Sequence, residues 1–489
     1  MAVNPRHHFA FLSVRVALFL LLAIVLCAGA ASSRAQNPTS AANPFYGSVT
    51  AQPVSSQPLR LSLDDAIRRG LGNNLGLKEA EEGEQTLDGE KSEALQEFLP
   101  TIWLTGDTGY YMHNLVALGF GPKTISEFSS LFPGGKVPAG LAEITRDDLT
   151  EGQIHFTQIL FSGPVIQGWR AAGAAERAAH FNKMSARGEV VQQVAIAYLR
   201  AVADQSEVDN ANALVAEAQV LVDHVHAAHL AGVVANLDEL RARVQLEAQQ
   251  QALIAAQNRQ AKDLILLERE IGVDPAQQIA LTDPAPFSDL AEQTPEEVRA
   301  LALKSRQDYQ NLQNQAVEFK AVHAVYRSQR LPTLSFNSYY GTSTVNGVGT
   351  HGDFSAIGTL NIPLFREARL RGDEDASKAL LDANGAELAD LRNHIDEQVR
   401  SALLDVGASK QLVDVARSNV GLATRALSDE TDRVNAGVDD NLPLVTAQAT
   451  LATAQTNLVE SLYQYNVSKL LLARAAGVLE QQYRVYLGR

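Results

Sequence analysis

Apolar residues recur at alternating steps of three and four over long stretches of this chain. After Gly437 the apolar or small residues of this pattern are Leu444, Ala447, Leu451, Ala454, Leu458, Ser461, Tyr465, Ser468 and Leu472. Before Gly437 the same spacing gives Leu412, Val415, Asn419, Leu422 and Ala426. Such spacing is typical of the seam of a coiled coil. The pattern predicts two long antiparallel helices that meet at a turn near Gly437 and pack along these residues.

This helical hairpin is predicted twice. One constant interval separates the members of four pairs: Gly232 and Gly437, Asn236 and Asn441, Leu237 and Leu442, and Gly272 and Gly477. Four coincident marks at one interval indicate an internal duplication. The helix that leads to the first turn is expected from about Pro164 to Ala231, and 1.5 Å per residue makes it about 100 Å long. We expect Asn236 and Asn441 to cap the helices that return from the two turns.

Upstream of each hairpin the sequence predicts a shorter helix. Ser62 and Thr294 occupy matching places in the two copies, and each precedes acidic residues in the way that is typical of a helix start. From each of them one helix is expected to run to a Leu-Pro pair, Leu99-Pro100 or Leu331-Pro332. The two Leu-Pro pairs are separated by the same interval as the two helix starts, so the duplication covers nearly the whole chain after residue 60.

After each Leu-Pro pair the period of the pattern changes to two. Strands are predicted at 101–111, 152–161, 333–340 and 353–365. Alternating apolar and polar residues over about ten positions suit a tilted strand with lipid on one side and water on the other. An ordinary soluble hairpin is the alternative, and the alternation does not tell whether Leu334 and Phe336 or Ser335 faces lipid. The first strand pair carries a longer connection than the second, within 112–151.

Composition and the N-terminal region add the cellular context. Residues 1–30 have the basic start, apolar core and small residues at the end that are typical of a signal peptide, and Cys27, the only cysteine, lies in it as a candidate lipidation site. Residues 31–60 are predicted to be a flexible leader, 61–285 the first repeat and 286–489 the second. The net charge is −15 and falls to about −17 on cleavage. This acidity disfavours nucleic acid and anionic membrane surfaces as partners.

Together these marks resemble the outer-membrane efflux proteins of the TolC type, over residues 61–489. The marks are the two Leu-Pro strand entries, the Leu-Phe pairs at Leu160 and Leu364, the Arg433-x-x-x-Gly437 turn, the Ala-Gln pairs at Ala447 and Ala454, and Ala476-Gly477. The resemblance implies a mainly α fold with membrane β: a trimer whose 12-stranded β-barrel continues into a 12-helix α-barrel. It implies a passive exit duct in the outer membrane, extending into the periplasm of a Gram-negative bacterium.

The resemblance also implies partners and sites. An inner-membrane pump and a periplasmic adaptor would complete the system, for efflux or type I secretion, and the adaptor would dock at the turns through Gly232, Val233, Arg433, Gly437 and Val438. The acids Asp238, Asp439 and Asp440 are candidates for a pore constriction at the periplasmic tip. Alternatively, these acids only favour the helix dipole of the first turn.

No enzyme motif, phosphate loop or set of metal ligands is recognisable, and no cofactor is expected. His224, His226 and His229 lie near the first turn, but residues two apart on a helix point in opposite directions. We therefore interpret them as part of a solvated surface. The alternative to a channel is a soluble periplasmic coiled-coil scaffold or adaptor. Two membrane-length strand pairs favour the channel.

Overall fold

The computed structural model describes residues 42–49, 54–114, 122–129, 134, 144–232, 234–283, 287–345, 349–436 and 441–488. The predicted signal peptide with Cys27, and the leader up to residue 41, lie outside these residues, as does much of the predicted long loop. Gly437, Val438, Asp439, Asp440 and Val233 lie outside them too.

The order of elements repeats. The first half contains β1 (Leu59–Leu61), α1 (Leu63–Asn73), α2 (Leu75–Gln96), β2 (Thr101–Asn114), α3 (Pro122–Phe128), β3 (Ile144–Phe161), α4 (Gly163–Leu230) and α5 (Asn236–Ile271). The second contains β4 (Ile279–Leu281), α6 (Pro295–Ser305), α7 (Gln307–Ser328), β5 (Thr333–Val345), β6 (Thr350–Asn361), α8 (Glu367–Asn435), α9 (Asn441–Ala475) and α10 (Leu479–Leu487). Only α3 and α10 lack a counterpart among these elements, so the predicted alternation of helices, strand pairs and long helical hairpins is confirmed.

Both predicted helix starts are confirmed, but the helices that follow are interrupted. The Ser62 hydroxyl accepts a hydrogen bond from the Asp65 N–H, and Thr294 forms a capping box with Glu297. Instead of one helix up to each Leu-Pro pair, there are two, separated by an extended residue at Asn74 and at Arg306. Asn74 stabilises its break by accepting from Leu77 N–H and by donating from Nδ2 to the Phe45 carbonyl at 2.6 Å.

The break at Arg306 has a tertiary cause. Gly477 follows α9 in the left-handed conformation (φ 74°), and a Cβ on it would lie 2.7 Å from the Arg306 nitrogen. Glycine therefore allows the end of α9 to pack directly on the backbone of the break. The Arg306 side chain is then held by Asp308, with bonds of 3.0 and 2.6 Å, and by Gln398.

The four long strands form one antiparallel sheet in the order β2-β3-β5-β6. Three strands extend further than predicted, to Asn114, from Ile144 and to Val345, whereas β6 ends at Asn361 and not at residue 365. Pro363 removes a backbone donor just after β6, and Leu364 and Phe365 follow it almost fully exposed. The pairing of β3 with β5 joins the two halves of the chain.

The register separates the side chains of this sheet into an apolar face and a polar face. Leu334 is opposite Leu360, Ile102 is opposite Phe156, and Tyr340 lies between Ile154 and Phe354. Successive residues of a strand point to opposite sides, so these residues share one face with Leu104 and Phe336. Leu104 and Phe354 are 74% and 67% exposed in the single chain. The period-two pattern thus produces an apolar surface that no described part of the chain covers.

The other face carries polar and aromatic side chains. Thr105 contacts His155 at 2.9 Å, and the Thr157 hydroxyl donates to Asn337 at 2.8 Å. Trp103 stacks on the His155 ring with centroids 5.0 Å apart. Ser335 belongs to this face, since it alternates with Leu334. The register thus puts Leu334 and Phe336 on the apolar face and Ser335 on the polar face. Which of the two faces contacts lipid stays a prediction.

Between the sheet and the helical tips, a belt of short elements packs on α4. β1 and β4 pair in parallel, and they join α1, α6 and α10 around a core that contains Leu61, Val190, Val194 and Ile271, all fully buried. The predicted pattern did not reveal β1, β4 or α10. Phe45 of the expected leader also packs here, so close to Gly76 that a Cβ there would lie 2.6 Å from its ring. The expectation of a flexible leader is wrong for this short stretch.

The coiled-coil seam is confirmed in one helix and shifted by one residue in the other. On α9, Leu444, Ala447, Leu451 and Ala454 are buried as predicted. On α8, the buried residues are Val413, Ala416, Ala423 and Leu427, each one position after a predicted residue. The predicted Leu412, Val415 and Leu422 are 57–60% exposed. The seam prediction on α8 is wrong because this helix carries two adjacent apolar stripes, and the spacing alone does not distinguish them.

A second core near the tips joins the two hairpins to each other. It contains Val225 of α4, Ala242 of α5, Leu427 of α8 and Leu444 of α9, with further residues of each long helix except α5. The two hairpins therefore form one four-helix unit in the single chain. Among the described residues, no helix combines the length and the apolar composition that crossing a bilayer requires.

A charged layer separates the belt core from the tip core. Arg200 of α4 contacts three carboxylates, those of Asp204 at 3.4 Å, Asp263 of α5 at 3.6 Å and Glu460 of α9 at 2.9 Å. Asp204 is only 4% exposed, and its second oxygen accepts no hydrogen bond from the described residues. Burial and the neighbouring Asp263 carboxyl raise the pKa of Asp204 to about 7. The single positive charge of Arg200 therefore cannot neutralise all three carboxylates.

We expect Asp204→Asn to stabilise the protein fully at pH 8 and only about half as much at pH 5.5. The folded state holds a proton on Asp204 up to about pH 7, whereas the unfolded chain releases it near pH 4, so stability is lost as pH rises from about 4 to about 7. The gain at pH 8 should be on the order of 2 kcal/mol. The unfolding temperature of the detergent-solubilised protein at both pH values measures it. Asp209→Asn, an exposed residue of the same helix, is the control, and an equal gain at pH 5.5 would contradict the protonation argument.

Candidate functional site

The turn between α4 and α5 is the first of the two predicted docking tips. Gly232 adopts the left-handed conformation (φ 72°) directly after the helix and allows the chain to reverse. His229 of the last turn of α4 lies 3.2 Å from the Val234 carbonyl across the turn. Gly232 is therefore where the sequence predicted it, at the apex of the tip.

The start of α5 differs from the prediction. Ala235, not Asn236, occupies the N-cap position, and no side chain there accepts a hydrogen bond from the first turn. Asn236 is the first helical residue, so the predicted cap at Asn236 is wrong. Asp238 and Glu239 occupy the first turn, where negative charge is favourable because the free N–H groups carry partial positive charge.

The two acids of this turn have different surroundings. Asp238 is paired with Arg241 at 3.3 Å, and its side chain is 17% exposed. Glu239 is more deeply buried and accepts contacts from His226 of α4 at 3.0 Å and from Arg243 at 2.6 Å. The hydrogen bond from His226 lowers the pKa of Glu239 below its usual value, and the Arg243 charge lowers it further. Glu239 therefore links the two helices of the tip, which the sequence did not predict.

The second tip is described only in part. Arg433 lies in the last turn of α8, 3.9 Å from Glu430, with its side chain 54% exposed. A cation is favourable at the C-terminal end of a helix, and this exposure leaves the guanidinium accessible to a partner. Asn441 begins α9, but the residues before it lie outside the described ones. The predicted cap at Asn441 and the roles of Gly437, Val438, Asp439 and Asp440 stay predictions.

The three histidines near the first tip do not come together. His226 contacts Glu239 and His229 contacts the Val234 carbonyl, so the two rings have separate partners. Among the residues that the structure describes, no group of three or more His, Cys, Asp or Glu side chains is arranged to hold a metal ion. The interpretation as a solvated surface is thus too simple for His226, which contacts Glu239. The feature of the sequence that indicated this contact was an acidic residue at the start of the facing helix.

Glu239→Gln should loosen the first tip at neutral pH. An amide cannot hold both His226 and Arg243 as a carboxylate does, so hydrogen exchange of backbone amides in 234–243 should become severalfold faster. The lowered pKa of Glu239 means that this stabilisation exists above the ordinary carboxyl pKa and is lost in acid. Exchange rates should therefore converge with those of the wild type below about pH 4. Glu247 is exposed on the same helix, so Glu247→Gln should not change the exchange rates at either pH. An equal effect of Glu247→Gln would refute the role of the contacts that Glu239 makes.

Comparison with known proteins identifies the family. The model of the outer membrane efflux protein family matches residues 66–273 and 298–478, well over half of the chain. The toluene efflux pump outer membrane protein TtgF of Pseudomonas putida is 24% identical over 316 residues, which are 63% of this chain. That match spans 65% of the relative's own length, just under two thirds.

Solved structures share the fold over nearly the whole chain. A membrane protein from Pseudomonas aeruginosa superposes with a TM-score of 0.71 at 17% identity, over 92% of this chain and 95% of the other. The CmeC outer membrane channel of Campylobacter jejuni gives 0.68 at 15% identity, over 89% and 92%. The combination of a four-stranded sheet with long helical hairpins is therefore the fold of outer-membrane channels. The chain belongs to the outer membrane efflux protein family, and is a protein of the Gram-negative outer membrane that extends into the periplasm, not an enzyme.

Proposed function

We propose that three copies of this chain form one outer-membrane channel, the passive exit duct of a tripartite efflux or type I secretion system. The observation that carries the proposal is the four-stranded sheet, apolar on one face and polar on the other, with an unpaired edge at each side. The name of the P. putida relative, a toluene efflux pump outer membrane protein, favours efflux of small molecules over secretion.

The edges of the sheet require a partner. In the described part of the chain, β2 pairs only with β3 and β6 pairs only with β5. An edge of unpaired N–H and C=O groups is not tolerated in hydrocarbon, and four strands are too few for a closed barrel. In a trimer, β6 of one chain would pair with β2 of the next, which gives twelve strands. The apolar face with Leu104 and Phe354 would then contact lipid, and the face with Thr105 and Asn337 would line the water-filled bore.

The helices support the same assembly. The exposed stripe on α8 contains Leu404, Leu412, Val415 and Leu422, each 57–73% exposed in the single chain. A stripe of large apolar residues along a helix whose other stripe is already buried indicates a further helical neighbour. A second copy of the chain supplies that neighbour if the hairpins of three chains close into a 12-helix α-barrel. The belt elements, including α10, would lie outside this barrel, because three copies of them would fill its bore.

The tips would receive the periplasmic adaptor, which connects the duct to an inner-membrane pump. Gly232 and Val233 at the first tip, and Arg433, Gly437 and Val438 at the second, are the proposed docking residues. Two features support this: the exposed Arg433 guanidinium and the reversal of the chain at Gly232. The proposal also includes a signal peptide at 1–30 and two repeats, at 61–285 and 286–489.

The mass of the particle extracted by detergent from outer-membrane fractions tests the proposal. Light scattering corrected for detergent should give three chains for the wild type. Leu334→Arg places a charge on the apolar face and should destabilise the membrane-inserted trimer, because a lipid-facing charge costs up to about 1 kcal/mol per chain near the interface, where β5 begins, and about 2–4 kcal/mol at the bilayer centre. Ser335→Arg, the matched control on the polar face, should assemble normally.

Two outcomes would overturn the proposal. A monomer or dimer released by osmotic shock without detergent would indicate a soluble periplasmic scaffold instead of a channel. Equal assembly of Leu334→Arg and Ser335→Arg would show that the face with Leu104 and Phe354 does not contact lipid.

The acids of the tips give a separate prediction. Asp238, Asp439 and Asp440 are proposed to narrow the duct and to attract cations. The double variant Asp439→Ala with Asp440→Ala should raise the open conductance or reduce cation preference in planar bilayer recordings. Asp429→Ala with Asp432→Ala, on exposed positions of α8, changes the charge equally and should have a smaller effect. If the tip variant keeps the cation selectivity of the wild type, these acids do not form a pore constriction. They then only interact favourably with the dipoles of the helices that they precede or begin.

A further inference from the structure

A cationic cavity lies just below the sheet, between α2, α4 and α7. Its volume is about 540 Å³, and its lining includes Lys91, Arg170, Arg177 and Lys320 together with Trp169. The rest of the wall is mostly small or apolar and contains Val317, Ala321 and Ala324. Four cations around one cavity stand out in a chain whose net charge is −15. This local charge is opposite to that of the protein as a whole.

The cations of this cavity are only partly neutralised. Lys91 pairs with Glu176 at 2.5 Å. Arg177 contacts the neutral Asn314 at 3.3 Å, and Arg170 contacts the neutral Gln167 at 3.5 Å. Neither arginine, nor Lys320, makes an ion pair with any described residue. The cavity therefore presents three uncompensated positive charges, which suit an anion that carries several acceptor oxygens.

The cavity lies at the depth of lipid headgroups if the sheet spans the membrane. Helix α4 begins two residues after β3 ends, and at 1.5 Å per residue Trp169 and Arg170 lie about 10 Å below that point. Lys91 and Lys320 lie about 8 and 12 Å from the sheet-proximal ends of α2 and α7. The headgroup layer is about 5–8 Å thick, and arginine and lysine side chains extend several Å towards it.

The surroundings of the cavity fit a membrane interface. Trp169 is 41% exposed and packs edge-on against Phe98, with ring centroids 6.2 Å apart. Indole rings are favoured at this level of a bilayer. Above the cavity, the exposed Leu99 and Leu331 lead to the apolar face of the sheet. A ligand with a negative head and a hydrocarbon tail could thus satisfy both the cavity and the surface above it.

The cavity opens on the side of the helical wall that the belt covers. Gly173 lines the cavity, and Arg187, two heptads further along α4, holds Glu480 of α10 at 2.5 Å. Residues fourteen apart on a helix in a coiled coil share one face. In the proposed trimer α10 lies outside the barrel, so the cavity also opens outwards and faces lipid, not the bore. All three helices that form it belong to one chain, so the cavity is complete before assembly.

We propose that this cavity binds the phosphate of an anionic phospholipid in the periplasmic leaflet of the outer membrane. The proposal rests on the proposed function, because it needs the sheet to span the membrane. Arg170 and Lys320 bind the phosphate oxygens, and Arg177, about 21 Å along α4 from its start, adds positive charge below them. Trp169 lies at the level of the glycerol backbone, and the acyl chains run along the apolar face. The site would fix the height of the duct in the bilayer, since the headgroup is held at a defined distance below the sheet.

Native mass spectrometry of the detergent-extracted protein tests the site. Phosphatidylglycerol should be retained at about one tenth of the concentration that phosphatidylethanolamine requires, since each basic residue near an anionic lipid contributes about 1 kcal/mol. Arg170→Glu with Lys320→Glu should abolish this preference. Arg369→Glu with Lys378→Glu on α8 makes the same charge change away from the cavity and should retain it. Arg170→Gln with Lys320→Gln, which removes charge without repulsion, should weaken binding at least tenfold.

The outcomes separate this proposal from the proposed function. Unchanged preference in the cavity variants, or an equal loss in the α8 control, would overturn the lipid site even if the particle is a trimer. Displacement of the lipid by an equal concentration of sn-glycerol 3-phosphate would overturn it in favour of a soluble phosphate ligand. The same spectra report the number of chains, so the absence of a trimer would contradict the proposed function. The cavity belongs to one chain, and its lipid preference can be measured in either case.

Discussion

The unpaired edges of the four-stranded sheet are the constraint on which the rest of the architecture depends. A sheet with one apolar face can bury that face in lipid only if every backbone N–H and C=O group has a partner. Among the strands that the structure describes, β2 and β6 each have one neighbour. The interval between the two helix starts equals the interval between the two strand entries, so the chain contains two copies of one strand pair. This duplication gives a four-stranded sheet but does not pair its edges. In the proposed trimer, further copies would complete the closure, and the helices would then follow the same rotational symmetry below the sheet.

The long helix α4 illustrates how one sequence pattern serves several environments. Near the sheet α4 packs on α2 and α7, further down the belt covers it, and near the tip it packs on α5 and α9. Each neighbour contacts a different stripe, so buried residues occur around much of the helix and no single amphipathic face emerges. Small residues dominate the upper part, with Ala171, Ala174 and Ala178 buried in sequence. Neighbouring helices therefore pack closely on α4 because its buried side chains are small, and not because it carries one strong apolar stripe.

Much of this fold could be predicted from the sequence, because the hydrophobic period and the capping and turn residues are local signals. The strand pairs, the caps at Ser62 and Thr294 and the reversal at Gly232 depend on residues within one turn or one strand. The errors have tertiary causes. The break at Arg306 depends on Gly477, which is distant in the sequence, and the seam on α8 differs from the exposed stripe by only one position. The ion pairs of Glu239 and the cavity near Trp169 each join separate helices, and no spacing within one helix reveals them.

The charged layer around Arg200 lies between two apolar cores, and this position has a physical consequence. An uninterrupted apolar seam along α4, α5 and α9 would tolerate sliding by a heptad, because one leucine or alanine layer resembles the next. Arg200 removes that freedom, since it must meet Asp204, Asp263 and Glu460 from three helices at one level. The layer costs stability, as a buried acid with a raised pKa indicates. In return it fixes the register of the two hairpins, so that Gly232 and Arg433 reach the tips at a defined height.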